Sequence, residues 1–412
     1  MRYGTKIGKN MNDVQAFNRV SAIKILLEEK VISRIELAER LGLKRATITN
    51  IINEFQEMNI VKEVGLIEGK NGRSVNGLKL NVDNCRIIVA RISRKYVETA
   101  VYDFYGNIHN YETTPINPSE PINITMDKIA QAINEQAERI DKRFVLGVGV
   151  AVPGPYVRGD RNTAYVTGFP ALKTVDIEDE LRKRIAFPVY TEHDSNMAVL
   201  AEWKEIFKSS NPNGSSMVFL TIEHGIGAGI IINGKIWKGS FGTAGEVGLM
   251  KINFDGPIYD SSGGTLEYYA SNQAIKRYVA EKLLEYPDTR LNEISSINEI
   301  YKAYEEGDRL AKYAVEKAAW YLGCGIANII NILNPEYVVL GDRVPFNESF
   351  LDVVKRSANA VLAEDIMKRT KIVYSKVKQN VILLGACQFV LEKSIDSLKI
   401  LDWLKERCAG SN

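Results

Sequence analysis

Three observations predict an α/β fold in two unequal parts. A helix-turn-helix pattern occupies residues 33–53. Strand-like and helical runs alternate after Asn81. The chain has 412 residues, more than one hydrophobic core usually organises. The front part is expected to be a winged helix-turn-helix over 1–82. The rest, 83–412, is expected to be a body of two lobes with a cleft. Lobe one would take about 83–195 plus the C-terminal segment, and lobe two about 196–380.

The front part begins with 13–29, where Val14, Phe17, Val20, Ile23 and Leu27 recur at steps of three and four, the spacing of an apolar helical stripe. Ser33 and Glu36 have the spacing of a capping box at the start of a second helix. Ala38 is small where a crossing helix would pass, and Gly42 gives the turn an unhindered backbone. Ile48, Ile51, Ile52 and Phe55 form the buried face of a third helix. Its other side carries Lys44, Arg45, Thr47, Thr49 and Asn50, residue types that contact phosphates and base edges. Lys44 stands where a Ser or Thr would cap that helix. Alternating residues from Ile60 to Leu80 around the turn at 69–73 read as a hairpin wing, with Lys70 and Arg73 at a tip able to reach DNA. Double-stranded DNA is therefore the first partner expected.

The body reads as strands at CRIIVARI, YVETAVYDF, VLGVGVAV, PVYTEHD and YVVLGD, with helices near 124–140, 196–207 and 311–332. VFLTIEHGIGAGIIIN reads as two strands joined at a glycine turn. The helical stretch 318–333, apolar on more than one side, suits either a core helix or a dimer element.

Bulk numbers narrow the class. Net charge is +2, but residues 1–80 carry +5 and the remainder −3, a basic front on a mildly acidic body. The four cysteines show no C-x-x-C spacing, which argues against a disulfide framework or zinc ribbon and suits a reducing cytoplasm. No apolar run reaches the roughly 20 residues of a membrane span, so a soluble, cytoplasmic protein is expected.

Several body segments, in order, carry a family resemblance: VGVAVPGP at 148–155, EHDSN at 192–196, GIGAG at 225–229, AGEVG at 244–248, Leu266-Glu267, NPE at 334–336 with VVLG at 338–341, and LGA at 384–386. Together they resemble the ROK family of sugar kinases and sugar-responsive repressors. The resemblance covers nearly the whole chain, because ROK repressors carry a winged helix-turn-helix ahead of the kinase-like body. It implies an actin-like two-lobed body with a sugar between the lobes. It also implies that Asp194, Glu246 and Glu267, with Gly154 and His193 beside them, line the sugar site. Carboxylates suit that task, since they accept charge-assisted hydrogen bonds from several hydroxyls at once.

Departures from the family pattern separate regulator from kinase. The kinase phosphate turn Asp-x-Gly-Gly-Thr corresponds here to positions holding Arg91, Ser93, Arg94 and Lys95, which lack the glycines that let phosphate approach. Glu223 sets a negative charge in the second phosphate turn. No phosphotransfer is expected, and Asp194 becomes a plain hydroxyl acceptor. The family's zinc positions hold Leu249, Ile258, Asp260 and Thr265, so no zinc or other cofactor is expected. The resulting expectation is a repressor, a homodimer or a tetramer, whose operator binding a sugar relieves or modulates. The alternatives are an active sugar kinase with an accessory DNA-binding module, and a DNA-binding protein whose body serves only for assembly.

Overall fold

The computed structural model describes residues 11–68, 74–157, 163–166, 169–207, 214–254, 256, 263–341, 343–396, 400 and 403. The front unit comprises α1 (Met11–Glu29), β1 (Ile32–Ser33), α2 (Arg34–Leu41), α3 (Arg45–Glu57), β2 (Val61–Glu68) and β3 (Ser74–Leu80). Its strands pair antiparallel in the order β1-β3-β2, making the wing. The capping box is formed: Ser33 Oγ accepts from the Glu36 amide, and Glu36 accepts from the Ser33 amide. Gly42 is left-handed at φ 65°, a conformation that costs a residue with a Cβ far more.

The apolar stripe expected on α1 is only half realised. Ala22, Ile23 and Leu26 are buried and Val20 and Leu27 pack partly against the core, whereas Val14 is 43% and Phe17 59% exposed. The second half of α1 supplies its buried residues to the small three-helix core, while Arg19 nearer the start pairs with Glu54 of α3. Periodicity alone does not report how deeply each position of a stripe is buried.

The body begins with β4 (Arg86–Ile92), β5 (Tyr96–Asp103), β6 (Ile108–Pro115), α4 (Ile122–Glu138), β7 (Val145–Val152), β8 (Tyr156–Val157), β9 (Thr163–Ala164), α5 (Ile177–Arg182) and β10 (Val189–His193). Next come α6 (Asp194–Phe207), β11 (Ser216–Ile222), β12 (Ile226–Ile232), β13 (Lys235–Ile236), α7 (Leu266–Ala270), α8 (Asn272–Lys282), α9 (Ile297–Glu305) and α10 (Arg309–Leu333). The last elements are β14 (Tyr337–Leu340), α11 (Glu348–Asn359), α12 (Glu364–Met367), β15 (Lys371–Tyr374) and α13 (Val381–Asp396). Among the described residues no helix is long and apolar enough to cross a membrane.

Two five-stranded sheets share one topology. The first runs β10-β7-β4-β5-β6 and the second β13-β12-β11-β14-β15. In each, three consecutive strands form an antiparallel meander, and two later strands add in parallel beside the first. Side chains alternate between the faces of each sheet. Ile88, Ala90 and Ile92 pack with α4 on the outer face of lobe one, and Val218, Leu220 and Ile222 pack with α7–α11 on the outer face of lobe two. The alternate residues Ile87, Val89, Met217 and Phe219 face a shared layer made by α6 and α13. α10 supplies much of the lobe-two core, with Trp320 and Ile332 left exposed.

The interlobe layer is tightly built. Gly385 of α13 lies against the Met197 carbonyl of α6, where any Cβ would collide. Glu202 of α6, fully buried, accepts from Ser375 Oγ at 2.7 Å and the Lys376 amide at 2.8 Å in the link from β15 to α13. The same apolar cluster continues through α13 into α1–α3 of the front unit.

Candidate functional site

On the front unit, Ile48, Ile51, Ile52 and Phe55 of α3 are buried, and Lys44, Arg45, Thr49 and Asn50 are exposed on the other side. Thr47 is half-buried. Thr49 Oγ1 donates to the Arg45 carbonyl at 2.9 Å, which leaves its lone pairs and methyl group outward. Lys44 sits at the N-cap in extended conformation with no side-chain cap bond, and its carbonyl accepts from the Thr47 amide at 3.0 Å. Lys70 and Arg73 lie outside the described residues.

A cleft of about 820 Å³ opens between the lobes. It gathers Gly154, His193, Asp194, Glu246 and Glu267, which come from four separate segments. Strand pairing explains part of this. β7 and β10 are parallel neighbours with Val152 opposite His193, so the turn carrying Gly154 lies beside the end of β10. Asp194 is the first residue of α6. The Glu267 carboxylate rests against Gly225 and Gly248, where a side chain would displace it.

The floor of the cleft is knitted by hydroxyls and charges. Ser195 Oγ lies 2.7 Å from Thr221 Oγ1 and 3.3 Å from Asp194 Oδ1. His193 Nε2 is 3.3 Å from Asp194 Oδ1. Lys238 pairs with the buried Glu192, tying the segment that leads to Glu246 to the end of β10. Burial pushes the Glu246 carboxyl up; His193 opposes this, and Asp194 and Glu267 add to it. The cleft thus presents three carboxylates, one of them reluctant to ionise.

The residues at the phosphate-turn positions make a different arrangement. Arg91 faces Glu98 across the β4–β5 pair and meets its carboxylate at 3.3 Å. Its other end reaches across the cleft to Glu223, just past β11, at 2.7 Å. Arg91 and Glu223 are both on the interlobe side because they continue the parity of Ile87–Val89 and Met217–Phe219. Burial works against the Arg91 cation, but Glu223, Asp194 and Glu98 outweigh it and hold the charge firmly. Burial likewise opposes the Glu223 anion, yet Arg91 and Arg343 bring its carboxyl below the usual range. Ser93 and Arg94 also line the cleft, whereas Lys95 is exposed and does not.

The zinc positions do not form a metal site among the described residues. Leu249 lines the cleft as an apolar, half-exposed side chain, and Thr265 caps α7 through the Tyr268 amide. Ile258 and Asp260 lie outside the described residues. No group of His, Cys, Asp and Glu that could hold a metal occurs among the described residues. Tyr165, Tyr268 and Arg277 also line the cleft. Nothing in their sequence neighbourhood marks them, because they reach it only through the β8–β9 hairpin and the α7–α8 corner.

A winged helix-turn-helix continuous with a two-lobed, carboxylate-lined cleft defines a ligand-responsive transcriptional regulator. Residues 88–393 match the ROK family and residues 20–62 match winged helix-turn-helix DNA-binding domains. The chain belongs to the ROK family, and its front domain places it with the family's transcriptional repressors. It is 26% identical over 394 residues to the xylose repressor of Caldicellulosiruptor bescii, covering 92% of this chain and 96% of that one. It is 25% identical over 340 residues to the DNA-binding transcriptional dual regulator NagC of Escherichia coli, covering 81% and 82%. A crystal structure of a ROK family transcriptional regulator, a homologue of the E. coli MLC protein, superposes with a TM-score of 0.78 at 24% identity, over 95% of this chain and 99% of that one.

Proposed function

We propose that this protein is a cytoplasmic, dimeric repressor that releases operator DNA when a sugar binds between its lobes, and that it transfers no phosphate. The reading assigns residues 1–82 to DNA and 83–412 to the sugar. One observation carries it: the cleft brings together Gly154, His193, Asp194, Glu246 and Glu267, while the Arg91–Glu223 pair spans the cleft at the phosphate-turn positions. Similarity to proteins named for xylose and N-acetylglucosamine repression makes those two sugars the first to try. Neither the carboxylates nor the substituted zinc positions call for a metal.

DNA recognition would rest on Lys44, Arg45, Thr47, Thr49 and Asn50, with Lys70 and Arg73 on the wing. A two-fold dimer would present two such helices to half-sites about 34 Å apart. The sugar can shift this only by binding one lobe arrangement better than the other. A gel-shift titration decides the matter: saturating sugar should release a duplex selected by the protein, and unchanged binding with every sugar tried defeats the reading. A coupled ADP-release assay should stay at background; sugar-dependent ADP release would instead make the protein a kinase with a DNA-binding module.

A further inference from the structure

Arg91 and Glu223 occupy equivalent places in the two topologically matched sheets. Arg91 lies near the end of the first strand of lobe one, and Glu223 directly follows the first strand of lobe two. Each is anchored within its own lobe. Glu98 holds Arg91 from β5, and Arg343, beyond β14, approaches Glu223 at 3.4 Å. The 2.7 Å contact between them is therefore a charged bridge between the two sheets, beside the Ser195–Thr221 and Lys238–Glu192 contacts that also join the lobes.

The bridge is also connected to the DNA-binding unit. Glu98 Oε1 accepts from Asn380 Nδ2 at 3.3 Å, and Asn380 Oδ1 accepts from the Leu383 amide at 3.2 Å in the first turn of α13. At the far end of α13, Asp396 pairs with Lys24 of α1 at 2.8 Å. Between these ends, α13 is buried along most of its length.

We propose that the Arg91–Glu223 pair is a lobe latch that holds the DNA-binding arrangement, and that α13 carries the state of the latch from Asn380 to α1. This rests on the sugar-repressor reading and adds the device that couples its two sites. A sugar that prefers the unlatched arrangement has to break the bridge, and by linkage whatever breaks the bridge favours the sugar. Contact alone does not establish coupling, so the test measures coupling directly.

The experiment uses full-length protein, a duplex selected from a random pool by the wild type, and D-xylose, N-acetyl-D-glucosamine and D-glucose as probes. Duplex affinity is read by fluorescence anisotropy and sugar affinity by calorimetry. Glu223→Gln should bind the effective sugar about fivefold more tightly and the duplex about fivefold more weakly without sugar. Asn380→Ala combined with Glu223→Gln should keep the gain in sugar affinity and show no further loss of duplex affinity beyond Asn380→Ala alone. Glu223→Asp, which shortens the reach by one methylene, should act in the same direction as Glu223→Gln and serves if the latter does not fold. Duplex and sugar affinities unchanged in the Glu223 variants overturn the latch. A duplex loss that persists undiminished in the Asn380 background overturns the route through α13. If no sugar affects wild-type duplex binding, the sugar-repressor reading fails, and the duplex arm still decides the latch.

Discussion

Gly154 lies against the ring of His193, and a Cβ at residue 154 would strike Nε2. His193 is 5% exposed and its ring has little room to withdraw. Gly154→Ala should therefore displace His193 from the cleft floor. A loss of about tenfold or more in sugar affinity is expected, with duplex affinity unchanged. Calorimetry showing wild-type sugar affinity would mean that His193 plays no part in the site.

The two ends of the molecule should fail separately. Asp194→Ala removes a carboxylate that begins α6 inside the cleft, and should abolish the sugar response while leaving DNA binding intact. Arg45→Ala removes an exposed side chain from the first turn of α3, far from the cleft. It should cost about 1–3 kcal/mol of operator discrimination if Arg45 reads a base. A footprint identical to wild type would move the reading surface elsewhere.

Glu246 sets a conflict between stability and binding. Its carboxyl is raised in the folded state, first by burial, so the folded protein holds the proton more tightly than the unfolded chain. Its contribution therefore becomes less favourable as pH rises from the ordinary carboxylate value through the raised one. Glu246→Gln should raise the melting temperature by about 1–3 °C at neutral pH, lose that advantage below about pH 4, and weaken sugar binding. Melting curves across pH check the sign. A Gln variant less stable than wild type at neutral pH would show that the ionised group is well served where it lies.

Glu223 has the opposite sign. Its carboxyl is lowered against the opposition of burial, by Arg91 and then Arg343. Its stabilisation is present above the unfolded carboxylate value and is lost as pH falls through the lowered one. The stability gap between wild type and Glu223→Gln should accordingly narrow in acid. A gap that widens on acidification would contradict the ion pairing.

Glu202 is a test of the interlobe layer. Glu202→Ala leaves Ser375 Oγ and the Lys376 amide without their buried acceptor, and should destabilise the protein by about 2–5 kcal/mol. Hydrogen exchange at Lys376 should accelerate in step. Protection equal to wild type there would show that the link is held by something else.

Features set by neighbouring residues were legible in the sequence. The capping box at Ser33, the turn at Gly42 and the buried face of α3 all depend on spacings of a few residues. The cleft residues Asp194, Glu246 and Glu267 could be picked out only through family motifs, since no local pattern brings them together. Glu223 reads from the sequence as a charge that repels phosphate. The fold adds what neutralises it, an arginine 132 positions away that shares its sheet-face parity. Pairing between sheets leaves no periodic trace in either strand. Val14 and Phe17 show the converse, a clear helical rhythm at positions that stay exposed.

The meeting of Gly385 with the Met197 carbonyl has a mechanical meaning. Two helices in backbone contact have no side chains between them to compress or splay. A swivel about the point where they touch keeps that contact, whereas parting them loses it. That point would be the fulcrum of such a swivel, and it lies in the layer between the two sheets. Were α13 to turn about it, the end that meets α1 through Asp396 and Lys24 would sweep furthest. The helix would then act as a lever whose short arm reaches Glu98 through Asn380 and whose long arm bears the DNA-binding helices.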